Sequence, residues 1–118
     1  MTGLIAAALL LWGVMLDVVW HDGSQDPAYD NVAVYGWVLD GPGCEMWTTR
    51  LFNGLTEAQQ LGVVTHEIGH CLGLEHTDED SIMRDGTYWM VPLDRDVLEM
   101  RRGYGGLKYR TVIGGIAK

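Results

Sequence analysis

His66-Glu67-Ile68-Gly69-His70-Cys71-Leu72-Gly73-Leu74-Glu75-His76 is the stretch from which the rest of the chain is read. On a helix, His66 and His70 stand four residues apart, so both rings leave one face a single turn from each other. Glu67 lies about 100° round from His66, beside whatever those rings hold and aimed at its other ligand. Gly73 can take the left-handed conformation that closes a helix and turns the chain back. His76 then approaches from outside the helix as a third nitrogen. Three neutral imidazoles with a fourth position open to water are the arrangement of a catalytic rather than a structural zinc. The spaced His, Glu and Gly residues would assemble by chance in fewer than roughly one in ten thousand chains of this composition. The sequence therefore predicts one catalytic zinc on His66, His70 and His76, with Glu67 as the catalytic residue. Because all three ligands must be neutral, zinc is expected to leave below about pH 6.

The flanks support a helix here. Thr56-Glu57-Ala58-Gln59 spells a capping box, with Thr56 as N-cap and Gln59 reaching back. The helix is expected to run to about Leu72, with Leu61, Val64, Ile68 and either Cys71 or Leu72 as its apolar stripe. Upstream, Val14–Trp20, Asn31–Leu39 and Cys44–Phe52 read as strands, the last two separated by the turn Asp40-Gly41-Pro42-Gly43. Downstream, Asp94 is placed to cap a second helix that continues to about Arg102, with Val97, Met100 and Tyr104 inward. The expected fold class is α+β. A twisted mixed sheet of about three to four strands packs on the zinc-site helix, and a C-terminal helix follows.

At 118 residues, 47% of them apolar, with five Trp and five Tyr, the chain reads as a single packed domain over residues 1–118. Its net charge of −8 is unevenly placed. Residues 101–118 hold five of the eight basic side chains and no acid, and residues 106–118 form a glycine-rich basic tail. The first hundred residues carry three basic and sixteen acidic groups, a balance of −13 that disfavours nucleic acid as a partner. Residues 1–16 are almost wholly apolar, which fits a buried or truncated helix or an export signal, and they are too few for a comfortable membrane span. Cys71 points about 100° away from its ligand neighbour His70, so it is not expected to bind the metal. A Cys44–Cys71 disulfide is open at this point, as are free buried thiols. Asp78-Glu79-Asp80 could hold calcium, although a solvated acidic turn is the simpler reading. His21, outside the motif, reads as a surface or core histidine.

Seven residues beyond His76 comes Met83, in Ser81-Ile82-Met83. The long histidine string with such a methionine resembles the metzincin clan of zinc metallopeptidases. Thr77, after the third histidine, is similar to the matrixins within that clan, as is Pro92 through Gly105. The resemblance is specific from about Leu55 to Met83, fair from Pro92 to Gly105, and vague before residue 44. It implies that Met83 lies beneath the metal as an apolar floor. It also implies an endopeptidase that hydrolyses peptide bonds with a zinc-bound water and Glu67 as general base. The peptide substrate would lie extended along an edge strand near Asn31–Leu39, with Tyr88, Trp89 and Met90 lining the pocket for the residue after the cut. Secretion is slightly favoured by the same analogy.

Departures from the family accompany the match. Fewer residues precede the zinc helix than in a typical matrixin, so that family's first strand and most of its first helix are expected to be absent. A second, structural zinc cannot be rebuilt from His21 alone. Arg84-Asp85 replaces the aromatic and proline that many relatives carry after the methionine. Two alternatives stay open: a non-catalytic zinc-binding interaction module derived from a peptidase, and hydrolysis of a non-peptide amide or ester at the same centre.

Overall fold

The computed structural model of the chain describes residues 1–25, 35–38, 43–78, 80–84 and 92–103. In order these form α1 (Thr2–Trp12), β1 (Val18–Asp22), β2 (Gly36–Val38), β3 (Cys44–Thr48), α2 (Arg50–Asn53), α3 (Glu57–Cys71) and α4 (Asp94–Gly103). The architecture is α+β, with a mixed three-stranded sheet in the order β1-β3-β2. β1 runs parallel to β3 with Val18 opposite Cys44 and Asp22 opposite Thr48. β2 runs antiparallel to β3 with Trp37 opposite Trp47. Alternation along β3 sends Cys44, Met46 and Thr48 inward to burial, while Glu45 and Trp47 face the other side.

α3 is the centre of the domain. Both arms of the predicted capping box form: Gln59 N donates to Thr56 Oγ1 at 3.2 Å, and Thr56 N donates to Gln59 Oε1 at 3.0 Å. Such a cap is worth about 1 kcal/mol. The sheet covers one flank of the helix, with Val63 and Glu67 beside Gly36 of β2. α1 covers the opposite flank, where Trp12 Nε1 donates to Thr65 O at 2.8 Å. Every residue from Gly62 to Gly69 is consequently buried, Val63 and Thr65 included. That corrects the expected single stripe: Leu61 is only half-buried, and the helix is a central element with two apolar contacts. Residues 2–12, read either as a buried helix or as a signal, form a helix whose Ala8 and Trp12 lie in the core. Among the described residues no helix is long and apolar enough to cross a membrane.

Three strand limits differ from expectation, for reasons of pairing. The first strand occupies Val18–Asp22 rather than Val14–Trp20, because β3 begins at Cys44 and offers residues before Val18 no partner. Val14 and Leu16 are buried in the link from α1 instead. The third strand ends at Thr48, and the chain winds into α2, burying Phe52 by a helical turn where continued alternation was expected. Of Asn31–Leu39, only Gly36–Val38 is described as strand, and 31–34, Leu39 and the turn at 40–42 lie outside the described residues. The tail from residue 104 lies outside them too. A disulfide joins Cys44, the first residue of β3, to Cys71, the last of α3, with the Cα atoms 5.4 Å apart.

Candidate metal centre

α3 delivers His66 and His70 from successive turns, and a reversal of the chain brings the third ring to meet them. Leu72 closes the helix, Gly73 takes φ 87°, and Leu74 N donates back to Gly69 O at 3.0 Å. His76 then places its Nε2 3.2 Å from His66 Nε2 and 3.0 Å from His70 Nε2. The next residue is tied down as well, since Thr77 N donates to Met83 O at 3.1 Å. Burial falls from His66, which is enclosed, through half-buried His70 to exposed His76, so the meeting point of the rings opens toward solvent on one side.

The outer nitrogens show what the inner ones are for. His66 Nδ1 donates to Ile82 O at 2.6 Å, and His70 Nδ1 donates to Leu74 O at 2.9 Å. A carbonyl only accepts, so each Nδ1 carries the proton and, in the neutral ring, each Nε2 is a bare lone pair. Lone pairs aimed at one another are satisfied by a cation between them. Nitrogens on a tetrahedral zinc, with bonds of about 2.05 Å, stand about 3.3 Å apart, near the spacings found here. His66, His70 and His76 therefore fit zinc by donor type and spacing, and His66 and His70 by tautomer as well. Among the described residues they are the one cluster of three or more His, Cys, Asp or Glu side chains placed to share a metal ion.

Glu67 reaches the same place from the flank. Its Oε2 lies 4.0 Å from His66 Nε2 and its side chain is almost wholly buried. Burial pushes its carboxyl up to about 8, because an ionised carboxylate loses its hydration there. Met83 is buried, and its sulfur lies against Gly69, the residue before His70. A Cβ on residue 69 would collide with Met83 Sδ and come within 3.0 Å of the Trp12 ring. This close approach requires glycine between the two histidines.

Sequence reasoning missed the brace that holds Met83 in place. Ser81 Oγ accepts from Met83 N at 2.9 Å and donates to Asp96 Oδ1 at 2.7 Å. Asp96 Oδ2 accepts from Leu93 N at 2.8 Å. Asp96, not the expected Asp94, therefore caps α4, and Asp94 is exposed. The signal was present: Asp96 occupies the third helical position, the same place from which Gln59 caps α3. Trp12 was also missed, hidden in a run read only for hydrophobicity.

Other expected residues stand apart. Tyr88, Trp89 and Met90 lie outside the described residues, as does Glu79 of the acidic run. Asp80 Oδ1 pairs with Arg84 Nη1 at 3.3 Å. His21 Nε2 meets Glu45 Oε1 at 3.0 Å on the outer sheet face, with its ring stacked on Trp47 at 4.5 Å.

Comparison with known proteins agrees with this geometry. A probable matrix metalloproteinase of Invertebrate iridescent virus 3 is 36% identical over 84 residues, an alignment covering 52% of this chain and 22% of the viral protein. The chain thus spans about a fifth of the curated relative it matches. No solved structure matches it. The matrixin sequence profile matches residues 18–98, from the first residue of β1 into α4 and through all three histidines, and by that match the chain belongs to the matrixin family.

Proposed function

We propose that this chain is a zinc-dependent endopeptidase domain in which His66, His70 and His76 hold the metal and Glu67 carries the proton. The observation that supports it most is the convergence of three imidazole nitrogens beside a buried carboxylate, 4.0 Å from His66 Nε2. Zinc, when bound, would make a water acidic enough to attack at neutral pH and would polarise the scissile carbonyl. Glu67 accepts the proton of the attacking water and passes it to the departing amine. Its low-dielectric seat favours proton uptake, and a cation held by the three histidines would oppose that pull. His66 and His70 are oriented for their task by the carbonyls of Ile82 and Leu74. Met83 supplies a dry, unreactive floor. The peptide would lie extended beside β2, an edge of the described sheet, where backbone pairing can hold it. Tyr88, Trp89 and Met90 would line the pocket for the residue after the cut. The Cys44–Cys71 bond suits an oxidising compartment, and hence a secreted protein.

The rival reading, a zinc-binding module without activity, leaves the seat of Glu67 unexplained. A carboxylate buried in a flank of the central helix is costly, and such cost is commonly retained where a group does chemistry. Cleavage of casein or of a broad peptide library by the zinc-loaded chain, abolished by chelation and by Glu67→Ala, is the expected result. A purified chain that holds one zinc yet cuts no peptide would sink the peptidase reading and favour the module.

A further inference from the structure

Among the described residues β2 covers Gly36–Val38, and its first residue faces the proton carrier. Gly36 is buried, pairs with Thr48 of β3, and faces α3. A Cβ built on it would stand 3.8 Å from Glu67 Cγ and 3.5 Å from Val63 Cγ1, both ordinary contacts. It would also stand 2.9 Å from Trp47 O, a distance that real Cβ atoms do not tolerate. The obstacle there is backbone, so no rotamer change relieves it and a strand must move.

The opposite face of β2 is clamped. Trp37 stacks on Trp47 with centroids 5.7 Å apart and planes 7° from parallel, and Trp47 stacks on His21 at 4.5 Å. These three rings are directly paired across the strands, making one continuous row on the outer face. At the near end, Tyr35 O accepts from Thr49 N at 3.0 Å. The strand is held from outside by rings and at its near end by a backbone bond, while on its inner side it faces the stem of Glu67.

We infer that Gly36 is a positioning residue: having no side chain, it lets β2 pair closely with Trp47 of β3 where it faces the Glu67 stem, and the Trp37–Trp47–His21 row holds the strand there. The distance between the sheet edge that would carry a peptide and the carboxylate that would serve it is set by this pairing. The inference rests on the peptidase reading. A displacement of the order of 1 Å between bound peptide and proton acceptor can lower turnover by about 100-fold without touching the metal ligands.

The test compares zinc-loaded wild type, Gly36→Ala and Trp37→Ala on a quenched-fluorescence peptide chosen from the cleaved library, alongside inhibition by acetohydroxamate, which needs only the metal. Gly36→Ala is expected to keep one zinc per chain and an inhibition constant within about twofold, while kcat falls by about tenfold or more. Trp37→Ala frees the strand from its other face and is expected to lower kcat in the same sense with zinc retained. A Gly36→Ala chain with wild-type kcat overturns the inference. If that variant fails to fold, Trp37→Ala decides, and an unchanged kcat there overturns it as well. A wild-type chain that cuts nothing overturns the peptidase reading itself, a result distinct from an active wild type matched by an equally active Gly36→Ala.

Discussion

The hydroxyl of Ser81 donates to Asp96 Oδ1 at 2.7 Å with both side chains buried, and this bond joins the turn that carries Met83 to the start of α4. The same serine oxygen receives Met83 N and the same carboxylate receives Leu93 N. Three hydrogen bonds thus satisfy four polar groups, and the buried serine and aspartate among them would be costly alone. Asp96→Ala strands the Ser81 hydroxyl and Leu93 N–H together. The expected loss is about 3 kcal/mol in urea unfolding, with a weaker affinity for zinc because His66 leans on Ile82 O in the same turn. Asp96→Asn keeps an acceptor and should lose less. Equal stability for Asp96→Ala and wild type would show that the brace carries no weight.

Gly69 tests the floor from above. Its α carbon faces Met83 Sδ and the Trp12 ring so closely that a methyl group overlaps the sulfur. Gly69→Ala is expected to destabilise by about 1–3 kcal/mol, the usual range for overpacking, despite the better helix propensity of alanine. Trimming the partner should restore room: in a Gly69→Ala/Met83→Ala double variant the losses should sum to less than the two singles added. Strict additivity in a thermal or urea unfolding cycle would place Met83 elsewhere than beneath residue 69.

What could be read in the sequence was what local rules write down. The capping box at Thr56 and Gln59, the end of α3 at Leu72 and Gly73, and the joint presentation of His66 and His70 all follow from helix geometry. The convergence of His76 needed only the reversal at Gly73. Contacts between distant segments were not legible in the same way. Val63 and Thr65 are buried because α1 and the sheet take opposite flanks of α3, and no periodicity within one helix reports two partners. Trp12 meets Thr65 O across 53 positions, and Ser81 meets Asp96 across 15. Such pairs depend on tertiary placement. Strand ends failed for a related reason: β1 starts at Val18 because its partner starts at Cys44, whereas apolar character alone runs back to Val14.

The Cys44–Cys71 bond closes a loop over a sequence separation of 27 and ties β3 to the helix end beside His70. On the chain-entropy account, closing a loop of that length stabilises by about 3.5 kcal/mol. Cys44→Ala/Cys71→Ala should therefore unfold at markedly lower urea than the oxidised chain. It should also hold zinc less tightly, because the turn from His70 to His76 loses its anchor. Zinc affinity measured by competition with a chromogenic chelator separates the two effects. Unchanged affinity with lowered stability would confine the disulfide to the fold.

Glu67 gives the metal-free chain a pH dependence of definite sign. Its carboxyl is raised by burial from an ordinary value of 4.5 to about 8. Between those values the folded state holds a proton there and the unfolded state does not, so stability falls as pH rises through the window. Below 4.5 both states are protonated at this site and its penalty vanishes, while above about 8 the full cost of a buried carboxylate is present. The slope at full difference in protonation is about 1.4 kcal/mol per pH unit. Glu67→Gln removes the titration and keeps the shape. Urea unfolding of the metal-free wild type and variant at pH 5 and pH 8 should give a difference that grows with pH in favour of the variant. Parallel pH profiles would mean that Glu67 is hydrated in solution, and the buried proton acceptor would be lost with it.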